Sequence, residues 1–211
     1  QLLLKEYNLG VNKFFIFSPI LFAALLLIPN WIYIIAFMYL FWLLIPGIYS
    51  EYNTQNDFTF TQLLPVSKDD IVKSKIYALV FIQLTYVVAG VIFALINNVI
   101  FGTVKLFFDL NFAFFGNILI MYAIFNIIFF PMYFKTAFFY GKGAIIGSVV
   151  AVLYAIGFEL LNIFIKPVNK ILESPDNLLI QIGILLFGII FFIITLKYTI
   201  NTSIVRFENR K

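Results

Sequence analysis

The sequence predicts an all-α integral membrane protein with six transmembrane helices and both termini on the cytoplasmic side. Three observations carry that prediction. Of 211 residues, 63% are hydrophobic and 11% charged, and the mean hydropathy is +1.03. A water-soluble domain carries about 25% charged and about 45–50% apolar residues, so the excess here has to face lipid. The apolar residues fall in long runs, and most of the 14 Lys and Arg residues sit between those runs on one predicted side.

The first run, residues 14–49, is too long for one span. As a single helix its 36 residues reach about 54 Å, against a hydrocarbon core of about 30 Å. Pro29-Asn30 near its middle favours a turn and removes a helix donor, and Trp31 follows as an interfacial anchor. The run therefore reads as two short spans, 14–28 and 31–48. The first, at 15 residues, either extends back to Asn12 or sits in a thinned bilayer. Residues 76–96, 112–133, 144–165 and 178–196 each meet the requirement of roughly 17–25 apolar residues. Six spans place 11 basic residues on one side and only Lys105, Lys166 and Lys170 on the other, whereas a single span over 14–49 divides them 9 to 5. The positive-inside rule selects the six-span arrangement. Residues 1–10 contain Glu6 and no small-residue cleavage site, so no cleavable signal is expected. One domain covering 1–211 is expected.

Composition also excludes chemistry. With no His and no Cys, the chain has no imidazole base, thiolate nucleophile, disulfide framework or Cys/His metal site. Neither catalytic nor metal-ligating residues are assigned. The net charge of +4 and pI near 9.2 are read as topology, because the basic residues are spread over short loops. No GxxxxGK[ST] phosphate loop is present, and the lone Gly141-Lys142-Gly143, expected as a tight basic loop after a kink at Pro131, lacks its spacing.

The longest polar segment is 51–75, EYNTQNDFTFTQLLPVSKDDIVKSK. Ser67-Lys68-Asp69-Asp70 reads as a capping box. Ser67 accepts from the Asp70 amide, Asp70 reaches back, and Asp69 and Asp70 suit the positive helix end. Pro65 keeps Leu64 out of the helical region, so Gln62-Leu63-Leu64 belongs to a separate element. Phe58, Phe60, Leu63, Leu64 and Val66 form an apolar knob on a solvent-side loop, which calls for a covering surface. The plainer reading is that the cap merely starts the third span.

Glu51, Asn56-Asp57, Leu64-Pro65-Val66-Ser67, Ile71-Val72 and Lys75, leading into a long span, resemble the ABC-2 type permeases, the membrane subunits of ATP-binding-cassette exporters. In that family this pattern lies between spans two and three, where a cytoplasmic coupling helix docks on the ATPase. The resemblance implies such a helix here, with Phe58, Phe60, Leu63, Leu64, Pro65, Val66, Ser67, Lys68, Asp69 and Asp70 at the interface. It also implies that residues 2–13 form the family's amphipathic N-terminal helix. Separate ATPase subunits would carry ATP and Mg, and this chain would bind no cofactor. A second permease, identical or paralogous, would complete the pathway in a bacterial plasma membrane. The aromatic, Asn-rich character is similar to staphylococcal permeases that export phenol-soluble modulins, which points to hydrophobic or amphipathic cargo such as toxin or antimicrobial peptides. The 166–177 connection is shorter than the external element common in the family.

Within the spans, Glu159 is the only acidic residue, near the external end of the fifth. Being costly in lipid, it faces protein or an aqueous cavity. Gly143, Gly147, Ala151 and Ala155 precede it at steps of four, a small-residue face for packing on another span or on a second permease. Gln83, Tyr86 and Asn126, together with Glu159, are candidates for cargo contact or gating, with interhelical hydrogen bonding as the plainer role. Asn117 and Asn126 are not one site. A stand-alone secondary transporter or channel is the alternative, for which a single buried acid is thin support.

Overall fold

The computed structural model describes residues 2–7, 12–29, 31–63, 65–101 and 108–209, without the side chains of Leu3, Leu4, Phe58, Gln62 and Pro175. Every regular element among them is a helix. In chain order these are α1 (Leu2–Lys5), α2 (Lys13–Ala23), α3 (Ile34–Tyr39), α4 (Ile45–Thr54), α5 (Asp57–Gln62), α6 (Lys68–Phe101), α7 (Phe112–Lys135), α8 (Gly141–Phe164), α9 (Lys166–Glu173) and α10 (Leu178–Glu208). Five helical stretches are long and apolar enough to cross a membrane: Ile34–Thr54, α6, α7, α8 and α10. The first of the six expected spans is a shorter apolar helix, Lys13–Leu27.

Local chemistry explains the boundaries. Asn12 caps α2, its side chain accepting from the Phe14 amide at 2.9 Å. A 3₁₀ turn, Ala24–Leu27, closes this helix before Ile28 becomes extended ahead of Pro29, so the break falls where proline placed it. α3 and α4 form one span through a π-helical turn at Leu40–Leu44, just upstream of Pro46. There the missing amide and the ring's bulk prevent a regular ladder. Asn111 caps α7 through the Phe114 amide, at 3.0 Å.

α6 begins at the Ser67 cap, as the capping box predicts, and runs past the apolar stretch 76–96 at both ends. α7 includes Pro131, as the expected 112–133 does, and ends at Lys135. Several expectations change. α10 continues to Glu208, well beyond the expected 178–196. Gly141-Lys142-Gly143 is the first turn of α8 and not a loop. The turn is instead 136–140, where Ala137 and Phe138 adopt left-handed φ of 60° and 65°. That conformation is strained for a side chain other than Gly or Asn, and here it buries Phe138, stacked on Tyr133 at 5.0 Å between centroids. The short connection after α8 contains the amphipathic helix α9 and a 3₁₀ turn, Pro175–Asn177. The expected N-terminal helix over 2–13 is helical at Leu2–Lys5, and its residues 8–11 lie outside the described ones.

α7 is the central helix. It is buried over most of its length, with α10 and α8 packed against it. Glycines set the closest approach: a Cβ on Gly188 of α10 would stand 2.4 Å from the Gly116 carbonyl oxygen of α7, and one on Gly116 would stand 2.7 Å from that of Ile184. The outward faces of α6, α8 and α10 are lined by exposed Leu, Ile, Val and Phe, as lipid contact requires.

Candidate functional site

At the end of the bundle that carries α5, four charged side chains meet, Glu6, Asp57 and Lys75 buried and Lys5 partly so. The chain leaves α4 through Asn56, whose left-handed φ of 52° is tolerated because asparagine visits that region. The reversal aims Asp57, the first residue of α5, back at the bundle. Lys75 and Glu6 are each 1% exposed and Asp57 4%. Lys75 Nζ lies 2.5 Å from Asp57 Oδ2 and 3.4 Å from Glu6 Oε2. Lys5 pairs with Asp57 Oδ1, lies 3.3 Å from Glu6 Oε1, and donates to Thr61 Oγ1 at 3.1 Å. Each lysine thus touches both carboxylates, and the four charges cancel. The Tyr52 ring covers Lys75 with its centroid 3.7 Å from Nζ, and Phe138 stands 5.2 Å away. This is a cation–π cage, and the strained 136–140 turn delivers one wall of it.

Burying Glu6, Asp57 and Lys75 costs several kcal/mol each, repaid only while every partner is in place. The cluster therefore fixes geometry. It ties α5 to the N-terminal segment and to the beginning of α6. Burial opposes ionisation of Asp57, but Lys75 and Lys5 outweigh it and hold the carboxyl below its ordinary 3.8. Burial likewise opposes the Lys5 charge, and Glu6 and Asp57 outweigh it, holding the amine above 10.5. A depressed acid stabilises the fold above its unfolded pKa and loses that contribution as pH falls through the folded value. A raised amine stabilises below its unfolded pKa and loses that contribution as pH rises through the folded value. The docking of α5 is thus expected to be flat with pH between about 4 and 10. The chain has no cysteine, so a dye on Leu63→Cys reports α5 alone, and a release midpoint near neutrality would contradict the assignment.

Phe60, one turn on from Asp57, flanks the cluster with its ring centroid 5.6 Å from Lys5 Nζ and is 48% exposed. Leu63 at the end of α5 points outward at 80% exposure, Pro65 is exposed, and Val66 packs partly on the core. The side chain of Phe58 and all of Leu64, the other expected knob residues, lie outside the described ones. α6 starts at a side-chain cap. The Asp70 amide donates to Ser67 Oγ at 3.1 Å, and Ser67 Oγ donates to Asp70 Oδ2 at 2.7 Å. The acid therefore meets the hydroxyl and not the cap's amide, as suits a side chain one methylene shorter than glutamate. Asp69 pairs with Lys73 at 3.8 Å on the solvent face, and Lys68 lies over the Phe207 ring at 5.8 Å.

The other candidates lie elsewhere and do not form one site. Gln83 and Asn126 exchange two hydrogen bonds of 2.9 Å between α6 and α7, and the Tyr86 hydroxyl donates to the Ala36 carbonyl; all three side chains are buried inside the subunit. Asn117 has different partners, the Ala113 carbonyl and the Tyr154 hydroxyl. Of the two readings of Gly143, Gly147, Ala151 and Ala155, the structure takes packing on another span. All four are buried, and a Cβ on Gly143 or Gly147 would stand 3.2 or 3.1 Å from Met132 or Phe125 of α7. Glu159 continues that face at the far end, buried and accepting from the Phe108 amide at 3.1 Å.

Sequence reasoning counted Lys5 and Lys75 as topological charges and missed the cluster. One signal was available: Lys75 is spaced by four from both Ile71 and Leu79, so it occupies an apolar-face position of its helix. A family model described as ABC-2 family transporter protein matches residues 1–206. No curated protein and no solved structure matches the chain.

Proposed function

Because the chain belongs to the ABC-2 family of transporter proteins, we propose that it is the permease subunit of an ATP-binding-cassette exporter. In this reading Lys13–Leu27 is a sixth, short span, both termini are cytoplasmic, and residues 1–211 are one transmembrane domain. α5 is the coupling helix, with Phe60 and Leu63 meeting a separate ATPase that holds ATP and Mg. A second permease completes a pathway for hydrophobic or amphipathic cargo, and the setting is a bacterial plasma membrane.

One observation carries the reading. Leu63, at the end of α5, is exposed, while Asp57 at its start is bound through the buried Lys75 to α6, the longest membrane helix among the described residues. A short surface helix with no further role has no need of so rigid an anchor. Force applied at Leu63 passes through Asp57 and Lys75 directly into α6, so a small movement of a docked partner tilts the span. The excess of basic residues on the α5 side supports a cytoplasmic location for this end.

The test is purification from the native membrane in mild detergent, comparing wild type with a Leu63→Asp variant by mass spectrometry. Leu63 is 80% exposed, so thermal unfolding of the permease is expected to be unchanged while a P-loop ATPase co-purifies only with wild type. Well-folded protein arriving alone in both preparations would sink the coupling reading and favour an autonomous transporter or channel.

A further inference from the structure

The end of the bundle away from α5 contains a lateral groove of about 590 Å³ between α6, α7 and α10. That volume is within the range of small-molecule sites. Leu84, Val91 and Leu95 of α6, Phe115 and Leu119 of α7, and Ile189 of α10 line it. The α7 residues form a buried floor, and the α6 and α10 residues form exposed rims. It runs from Leu84 to Asn98 along α6, about 21 Å at 1.5 Å per residue.

We propose that this groove holds an acyl chain of a phospholipid from the leaflet at that end. Its length accommodates one, since a leaflet contributes about 15 Å of a hydrocarbon core of about 30 Å and the remainder of the groove reaches the rim where the amides lie. Its polarity suits the orientation. The described lining residues include no charged side chain, and the amides Asn98, Asn111 and Gln181 gather at the far rim. Asn98 donates to the Leu110 carbonyl, Asn111 to that of Leu172, and Gln181 to those of Leu172 and Ser174. The rim is therefore a built, uncharged polar edge, and the aliphatic end lies towards mid-bundle. A lipid of that leaflet enters with its head at the amides and its tail along Val91 and Leu119. A peptide fits less well, because aliphatic walls offer its backbone amides no partners. Lipid on the outer face of α8 meets side chains without such a floor, and that face serves as the internal control.

The test uses the full chain in vesicles containing a phosphatidylcholine with a diazirine on one acyl chain, with the labelled residues located after photolysis by proteolysis and mass spectrometry. Label is expected to concentrate on residues 84–95 and 115–119 over residues 145–160 of α8. Val91→Trp, which fills the groove, is expected to reduce groove labelling about tenfold, while Ile190→Trp on the lipid face of α10 leaves it unchanged; Leu95→Trp substitutes if Val91→Trp does not fold. Equal label on α6 and α8 in the wild type, or undiminished groove label in a folded groove-filling variant, overturns the proposal. Neither outcome depends on an ATPase being present.

Discussion

Lys75→Met is expected to destabilise the α5 end by about 3–5 kcal/mol, the cost of leaving a buried carboxylate without its counter-ion. Lys75 touches both Asp57 and Glu6 and is caged by Tyr52. Methionine keeps most of the side chain's volume and its contact with the ring, so the loss reports charge and not packing. Asp57→Leu alone leaves the buried Lys75 and the partly buried Lys5 sharing Glu6 and is expected to cost a comparable amount. The double variant Lys75→Met, Asp57→Leu leaves Lys5 and Glu6 as a balanced pair, 3.3 Å apart, and is expected to recover most of the stability. Thermal unfolding in detergent and the rate of proteolysis within α5 read both quantities. Strictly additive single effects would mean that the four ions do not act as a unit. On the proposal that α5 is the coupling helix, the double variant keeps α5 folded with a weaker tie to α6, so a transporter assembled with it is expected to hydrolyse ATP with less transport per turnover.

The cluster also shows why part of the molecule was legible in sequence and part was not. The turn at Pro29, the helix start at Ser67 and the four long spans were legible because each depends on neighbouring residues: a missing amide, a cap, a run of apolar side chains. The continuation of α10 on to Glu208 was not. Hydropathy marks where a helix meets lipid, and a helix runs on into water wherever nothing breaks it. Lys75 was misjudged for a related reason. A lysine is ordinarily read as solvated, and its burial depends on partners 69 and 18 positions away, Glu6 and Asp57, that no local pattern announces. For the small-residue stripe, spacing announced a packing face, and only the fold could say that α7 covers it.

Gly188 illustrates the same limit with the larger expected effect. In sequence it resembles Gly183, one and a half turns earlier on the same helix. In the structure nothing lies within 4 Å of a Cβ at Gly183, whereas a Cβ at Gly188 would stand 2.4 Å from the Gly116 oxygen and 2.9 Å from its Cα. Those obstacles are backbone, which cannot rotate aside, so the helices must separate. In lipid that separation is costly, because apolar side chains gain little from one another over acyl chains and close packing between small residues holds the helices together. Gly183→Ala is expected to be neutral or to stabilise by about 0.5–1 kcal/mol, the ordinary gain from replacing glycine within a helix. Gly188→Ala is expected to cost at least about 3 kcal/mol, beyond common overpacking because both sides of the clash are main chain. Gly188→Leu is expected to yield no folded protein, while Gly183→Leu, at an exposed position, does yield it. Monodisperse recovery by size-exclusion chromatography in detergent, followed by thermal unfolding, decides the matter. Equal recovery of the two leucine variants would mean that α10 does not lie against α7 at this register. In that case the groove that these helices form with α6 would lose one wall.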